Sequence, residues 1–281
     1  MQLFARTLSG TRISLDSAEK QHDYFCEECG GVLHIRSGSH RQPHFYHLSP
    51  PSSCHQHAKS PAHIQTQLYL HRQLPQGELF LEHRFPTIGR IADAAWIPYK
   101  CVFEIQCSPI SREEVLSRNA DYAKEGWLVI WLLHDRRFNR SAKPSRLDPV
   151  FETLPHYFTN INAEGKGCLY DQFSIWKKGY RTHKLNPLPL VLSPPQPFPS
   201  FPIPALNLLK NRQSSWPIFL PGDLLSLFYQ TPSSPYIQSA FLYEKNASRS
   251  ILLRALLWIK QIYLKLLHHL LDQFALTSKY S

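Results

Sequence analysis

Trp127-Leu128-Val129-Ile130-Trp131-Leu132-Leu133 is an uninterrupted apolar run of strand length. Side chains of a strand alternate between its faces, so a run with no polar position suits a central strand buried on both, covered by a layer on each side. That requirement points to an α/β chain and organises what precedes the run. Ser111-Arg112-Glu113-Glu114, a cap followed by acids, opens a helix with Val115, Leu116, Asn119, Tyr122 and Ala123 at helical spacing, and Gly126 stops it. Upstream, Leu79 to Phe85, Arg90 to Ile97 and Cys101 to Gln106 read as three short strands. Pro86-Thr87-Ile88-Gly89 and Pro98-Tyr99-Lys100 separate them, connections tight enough for a meander. A further helix starts at Pro61, a position where proline is tolerated, with Ile64, Leu68 and His71 along one face. The predicted order is helix, three strands, helix, strand.

On either side of this block the composition changes. The first sixty residues hold His22, His34, His40, His44, His47, His55 and His57. Beyond Asp135 the signals weaken; Phe151 to Phe158 and Cys168 to Trp176 are candidate elements, and eight prolines between Pro187 and Pro204 exclude a helix or central strand there. That stretch reads as an extended connector. Ile251 to Leu276 places Leu252, Ala255, Leu256, Ile259, Tyr263, Leu266, Leu267, Leu270 and Phe274 on one side and Arg254, Gln261, Lys265, His268 and Asp272 on the other. Its polar groups are too frequent for a membrane span of about 20 apolar residues, so an amphipathic helix is predicted, a surface for protein partners or for a membrane face.

With 31 Lys and Arg against 21 Asp and Glu, the chain carries +10 formal charges and a pI near 9.3. Such a balance favours polyanions, either nucleic acid or an anionic surface, and charge alone names neither. Met1 to Lys20 contains no hydrophobic leader, and the expected compartment is the cytoplasm. There the six cysteines would stay reduced, which favours metal ligation over disulfides. Cys26, Cys29, His44 and His47 form a C-x2-C-x14-H-x2-H pattern, two pairs able to hold a structural zinc tetrahedrally, with Gly30 and Gly31 permitting a tight turn. Cys54, His55 and His57 compete for the second pair.

Acids occur within the strand sequences: Glu82, Asp93 and Glu104, the last sharing a face with Gln106 by alternation. Buried carboxylates need a cation, a metal or donors beside them, and a hard ion such as Mg2+ prefers oxygen ligands. Adjacent strands bring Asp93 and Glu104 together.

These residues give the chain a resemblance to the CoiA-like competence protein family, whose nuclease-like domain belongs to the PD-(D/E)XK, or restriction-endonuclease-like, superfamily. His63, Glu82, Arg90-x2-Asp93, Glu104-x-Gln106-x-Ser108 and Arg118-x3-Tyr122 stand in that family's order, and the Cys/His segment is similar to its zinc-finger-like region. The resemblance implies a zinc-finger-like module over 1–59 and a restriction-endonuclease-like core over 60–140, and covers the carboxy-terminal half only by position; that remainder, 141–281, reads from its own residues as a mostly helical region. The resemblance further implies Mg2+-dependent cleavage of DNA during uptake or recombination, with competence or recombination proteins as partners. Asp93 and Glu104 would hold the magnesium, Gln106 would stand where most of the superfamily has lysine, and His63 or Glu82 would complete the site. Arg90, Arg118, Arg136 and Arg137 are the expected phosphate contacts. The alternative is a catalytically inactive DNA-binding or recombination-accessory protein on the same fold, since a neutral glutamine only hydrogen-bonds.

Overall fold

The computed structural model describes residues 1–38, 41–49, 51, 54, 56, 59–140, 148–177, 180–197, 204, 206–247, 259 and 262. The helix expected over Ile251 to Leu276 lies outside the described residues except at Ile259 and Ile262. The chain forms one unit over Met1–Thr231 and a smaller one over Pro232–Ser281; in the latter, residues 235–247 are helical.

The first five strands are β1 (Phe4–Arg6), β2 (Arg12–Ser14), β3 (Tyr24–Phe25), β4 (Val32–Gly38) and β5 (Arg41–His47). They form an antiparallel sheet in the order β2-β1-β3-β4-β5. Its core is small: Ala5, Tyr24, Leu33 and Phe45 with Cys26 and Cys54. So little apolar material gives weak independent stability, which is where a metal crosslink contributes most.

Next come α1 (Pro61–Gln73), β6 (Leu79–Phe85), β7 (Arg90–Trp96), β8 (Cys101–Gln106), α2 (Arg112–Lys124) and β9 (Leu128–His134), in the predicted order. Ser60 caps α1 by accepting from the His63 amide, and Pro61 fills the first turn, where no amide partner is needed. The meander β6-β7-β8 turns through two short 3-10 segments that end in left-handed Gly89 and Lys100. Strand β9 lies parallel to β8, which demands a crossover, and α2 supplies it. Ser111 accepts from the Glu114 amide to start α2, and Gly126, at a φ of +74°, reverses the chain after it. Ile130 and Leu132 of β9 belong to the core that includes Ile64 and Leu70 of α1. Val129, Trp131 and Leu133 belong to the core that includes Val115 and Tyr122 of α2. The continuous apolar run is thus explained by a layer on each face.

The sheet continues beyond residue 140. After the short α3 (Asp135–Phe138) come β10 (His156–Thr159), β11 (Leu169–Asp171), β12 (Ser174–Lys177), β13 (Tyr180–Lys184) and β14 (Leu188–Pro189). Among the described residues the main sheet has seven strands, β14-β11-β10-β9-β8-β7-β6, with β10 parallel to β9. The remaining elements are β15 (Gln196–Pro197), α4 (Asn207–Ser215), β16 (Ile218–Phe219) and α5 (Leu224–Gln230). The expectation of a mostly helical region after 141 is therefore corrected: its described part is mixed, and strands from it extend the sheet. Runs as short as His156-Tyr157-Phe158-Thr159 carry too little alternation to register alone, and their neighbours supply the pairing. Among its described residues the proline-rich stretch contributes two-residue strands, as fits residues lacking an amide donor.

A buried ionic network ties α4 and α5 to this extension. The Arg212 guanidinium clasps both oxygens of Asp171, which also accepts from the Leu224 amide at 2.9 Å. Asp223 caps α5 through the Ser226 amide and accepts from the Tyr157 hydroxyl, both at 2.8 Å.

Candidate functional site

Two constellations of side chains stand out. In the first, Cys26, Cys29, His47 and Cys54 place one ligand atom each within 4.8 Å of one another, and among the described residues this is the group of His, Cys, Asp and Glu side chains that converges so. The Cys26 and Cys54 sulfurs are 3.8 Å apart, and His47 Nε2 stands 3.3 Å from Cys29 Sγ and 3.6 Å from Cys54 Sγ. A tetrahedral zinc with bonds of about 2.3 Å to sulfur has ligand edges of about 3.8 Å, so the donor set fits zinc. The Glu28 and Gly31 amides each donate to a thiol sulfur at 3.4 Å, and the Gln2 side-chain nitrogen lies 3.4 Å from both Cys26 Sγ and His47 Nδ1.

This corrects the ligand set expected from spacing. His44 and His47 are three residues apart on the extended β5, so alternation turns them to opposite faces. His44 Nδ1 instead lies 2.9 Å from the Gln42 carbonyl oxygen, and Cys54 is the fourth member of the group that could hold a metal. The expected H-x2-H pair suits a turn or helix, not a strand.

The second constellation lies at a cavity of about 730 Å3 whose walls include Lys59, His63, Asp93, Gln106, Arg118 and Arg136. Asp93 Oδ1 is 2.8 Å from His63 Nε2 and 3.1 Å from Lys59 Nζ, while Oδ2 accepts from the Ile105 amide at 2.9 Å. Burial alone would raise the Asp93 carboxyl; the charges of His63 and Lys59 and these hydrogen bonds outweigh it and hold it well below the usual range. Glu82 stands 2.9 Å from the same ammonium and accepts from the Leu3 and Phe4 amides at 3.3 Å. The β6-β7 register pairs Leu81 with Ala94 and His83 with Ala92, and Glu82 between them has a φ of +48°. A left-handed glutamate inside a strand is strained, a cost typical of sites where geometry serves chemistry. Lys59 is 6% exposed; burial lowers its affinity for a proton, but Glu82 and Asp93 reverse that and push it up to about 12.

Glu104 lies on the strand next to Asp93, as expected; the pairs Ala94 with Phe103 and Ala95 with Val102, continued by one residue, set the two acids opposite each other. Its carboxylate is turned to α2, accepting from Arg118 Nη1 at 2.6 Å and the Tyr122 hydroxyl at 2.7 Å. Burial raises the Glu104 carboxyl more than Arg118 lowers it, and the Asp93 charge adds to the rise. Gln106 donates to the Ser108 carbonyl at 2.7 Å and to its hydroxyl at 3.2 Å. Arg90 is engaged by Asp121, Glu114 and Ser117 at 2.8 to 3.0 Å, and Arg118 by Glu114 as well as Glu104. Arg136 and Arg137 are exposed on α3, Arg136 at the cavity wall.

The structure therefore joins Asp93 to His63 directly and to Glu82 through a residue that spacing did not single out, Lys59. Its one signal is its place directly before the Ser60-Pro61 helix start, which reads as a boundary rather than a site. No helix among the described residues is long and apolar enough to cross a membrane.

Residues 52–164 match the family model described as Competence protein CoiA, nuclease-like domain, and residues 9–57 match Competence protein CoiA, N-terminal domain. Over 134 residues the chain is 27% identical to Competence protein CoiA of Bacillus subtilis (strain 168), which covers 44% of this chain and 34% of that protein. The match thus spans about a third of the relative's length. No solved structure matches.

Proposed function

Because the chain belongs to the CoiA-like competence protein family, we propose that it is a competence-related, Mg2+-dependent deoxyribonuclease of the restriction-endonuclease-like class. It acts on DNA in the cytoplasm during uptake or recombination, alongside competence or recombination proteins. The observation that carries this reading is the convergence of two buried carboxylates, Asp93 and Glu82, on the ammonium of Lys59, which with Asp93 lines a cavity that also has arginines in its wall. The ammonium, 2.9 and 3.1 Å from the two carboxylates, supports the reading because both oxygens already face one positive charge.

In this reading Asp93 anchors the magnesium with Glu104 across the strand pair, and Glu82 and His63 complete its surroundings. Bound Mg2+ supplies a Lewis acid and a water of lowered pKa for phosphodiester hydrolysis. Arg118 and Tyr122 fix the Glu104 carboxylate. Gln106, at the cavity wall, orients a neighbouring oxygen by hydrogen bonding. Arg136, with Arg137 beside it, contacts phosphate, while Arg90 and Arg118 offset backbone charge from within their ion pairs. The Cys26, Cys29, His47 and Cys54 centre holds zinc structurally, because four protein ligands leave no open position.

Asp93→Ala and Glu104→Ala are expected to abolish Mg2+-dependent DNA cleavage and leave DNA affinity within a few-fold of wild type, as basic residues contribute the bulk of nonspecific binding. Gel-based cleavage and binding titrations at fixed salt check this; either variant cutting at the wild-type rate sinks the assignment. One observation favours the second reading, a DNA-binding accessory protein: both Glu104 oxygens are already engaged and Gln106 is neutral. Wild-type protein that binds single- and double-stranded DNA yet cuts neither with Mg2+ nor with Mn2+ establishes that reading instead.

A further inference from the structure

Lys59 occupies an unusual place for a lysine. Its side chain is 6% exposed, and its ammonium lies between Glu82 Oε1 at 2.9 Å and Asp93 Oδ1 at 3.1 Å. Neither carboxylate can turn away: Glu82 is held by the Leu3 and Phe4 amides, and Asp93 by His63 and the Ile105 amide. Without a cation between them, two buried carboxylates would repel at short range in a medium that screens poorly. A divalent ion with oxygen ligands at about 2.1 Å needs the same oxygens and the same space, so ion and ammonium exclude each other. The cavity wall beside Lys59 gives a displaced side chain room to remain near the site.

We propose that Lys59 is a built-in exchangeable counter-ion: a divalent cation reaches Glu82 and Asp93 by displacing the Lys59 ammonium, which then turns to the cavity and meets a phosphate oxygen of the substrate. The second half rests on the nuclease reading above; the exchange itself does not. Cation entry alone leaves the ammonium without its carboxylates. Cation entry together with a phosphodiester gives it a new partner, so the two bind cooperatively, each strengthening the other by the same factor. The site thereby stays closed to free cations until DNA is present.

The test is Mn2+ binding to the full zinc-loaded chain, followed by electron paramagnetic resonance with and without a short phosphodiester oligonucleotide. Lys59→Met is expected to bind Mn2+ roughly ten-fold tighter or more than wild type, since a competing charge at contact distance is gone, and to lose the oligonucleotide dependence. Lys59→Arg, which keeps the charge, should bind as weakly as wild type, and Asp93→Asn more weakly still. Unchanged or weaker Mn2+ binding by Lys59→Met, or none by either protein, overturns the proposal. A wild-type measurement guards against a variant that fails to fold: Mg2+ with the oligonucleotide should shift the Lys59 ammonium 15N resonance away from its ion-paired position. An unmoved resonance on a protein that has bound the cation also overturns it. Exchange without cleavage refutes the nuclease reading alone, and cleavage without exchange refutes this one alone.

Discussion

Asp171 and Asp223 are both fully buried, and among the described residues the guanidinium of Arg212 is the cation beside them. Asp171 makes the direct pair, and Arg212 lowers it against the opposing pull of burial. For Asp223, burial first and the Asp171 charge second raise the carboxyl from 3.8 to about 7. The native protein therefore holds this proton more tightly than the unfolded chain, so the contribution is full below 3.8 and is lost as pH rises to about 7. Asp223→Asn keeps an oxygen for the Ser226 amide and removes the charge; it should flatten the fall and add about 1–3 kcal/mol at pH 8 relative to wild type. Urea unfolding at a series of pH values checks this, and a slope equal to that of wild type contradicts it. At the metal centre, Cys54→Ser should lose zinc by elemental analysis whereas His44→Ala keeps it. The Cys26 and Cys29 pair was legible from its two-residue gap, but the histidine pair misled because spacing carries no information on local conformation. Lys59 was illegible for another reason: what makes it special are carboxylates 23 and 34 positions away, held there by the fold.

Helix α2 both covers one face of the sheet and carries the groups that hold Glu104. Arg118→Met leaves a buried carboxylate with Tyr122 as its direct partner and should cost about 3–5 kcal/mol, or less to the extent that Glu104 takes up a proton. Its stability deficit should accordingly shrink as pH falls toward 5, the reverse of what a simple packing defect gives. Ser111→Ala, which removes only the cap, should cost about 1 kcal/mol at any pH in that range, measured by the same denaturation. The helix and the meander before it were readable because each boundary has local chemistry: Ser60-Pro61, Gly89, Ser111 and Gly126. Strands β10 and β11 have no such marks and are short; β10 is made a strand by pairing with β9, and β11 in turn by pairing with β10 and β14. Where neighbours rather than local sequence decide the backbone, periodicity is silent.

The amino-terminal sheet and the main sheet are joined by polar contacts of long sequence range. Arg12 donates to the Leu81 and Glu82 carbonyls and to the Glu27 carboxylate, and Arg84 donates to the Glu27 carbonyl within the Cys26 to Cys29 loop. Chelation of zinc is therefore expected to raise hydrogen-exchange rates over 1–57 and at the Leu3 and Phe4 amides that hold Glu82, while amides of β8 and β9 keep their protection. Equal loss in both regions would show a single cooperative unit instead. The Leu3 and Phe4 contacts reach partners 79 and 78 residues further on, whereas every ligand of the metal centre is present by Cys54. Translation delivers the chain from its amino terminus. The nascent protein thus carries a complete zinc-binding set before the glutamate that its first strand will grip has been synthesised. A zinc taken up there would close the amino-terminal module during synthesis, before the cavity walls that carry Asp93 and Arg118 are made.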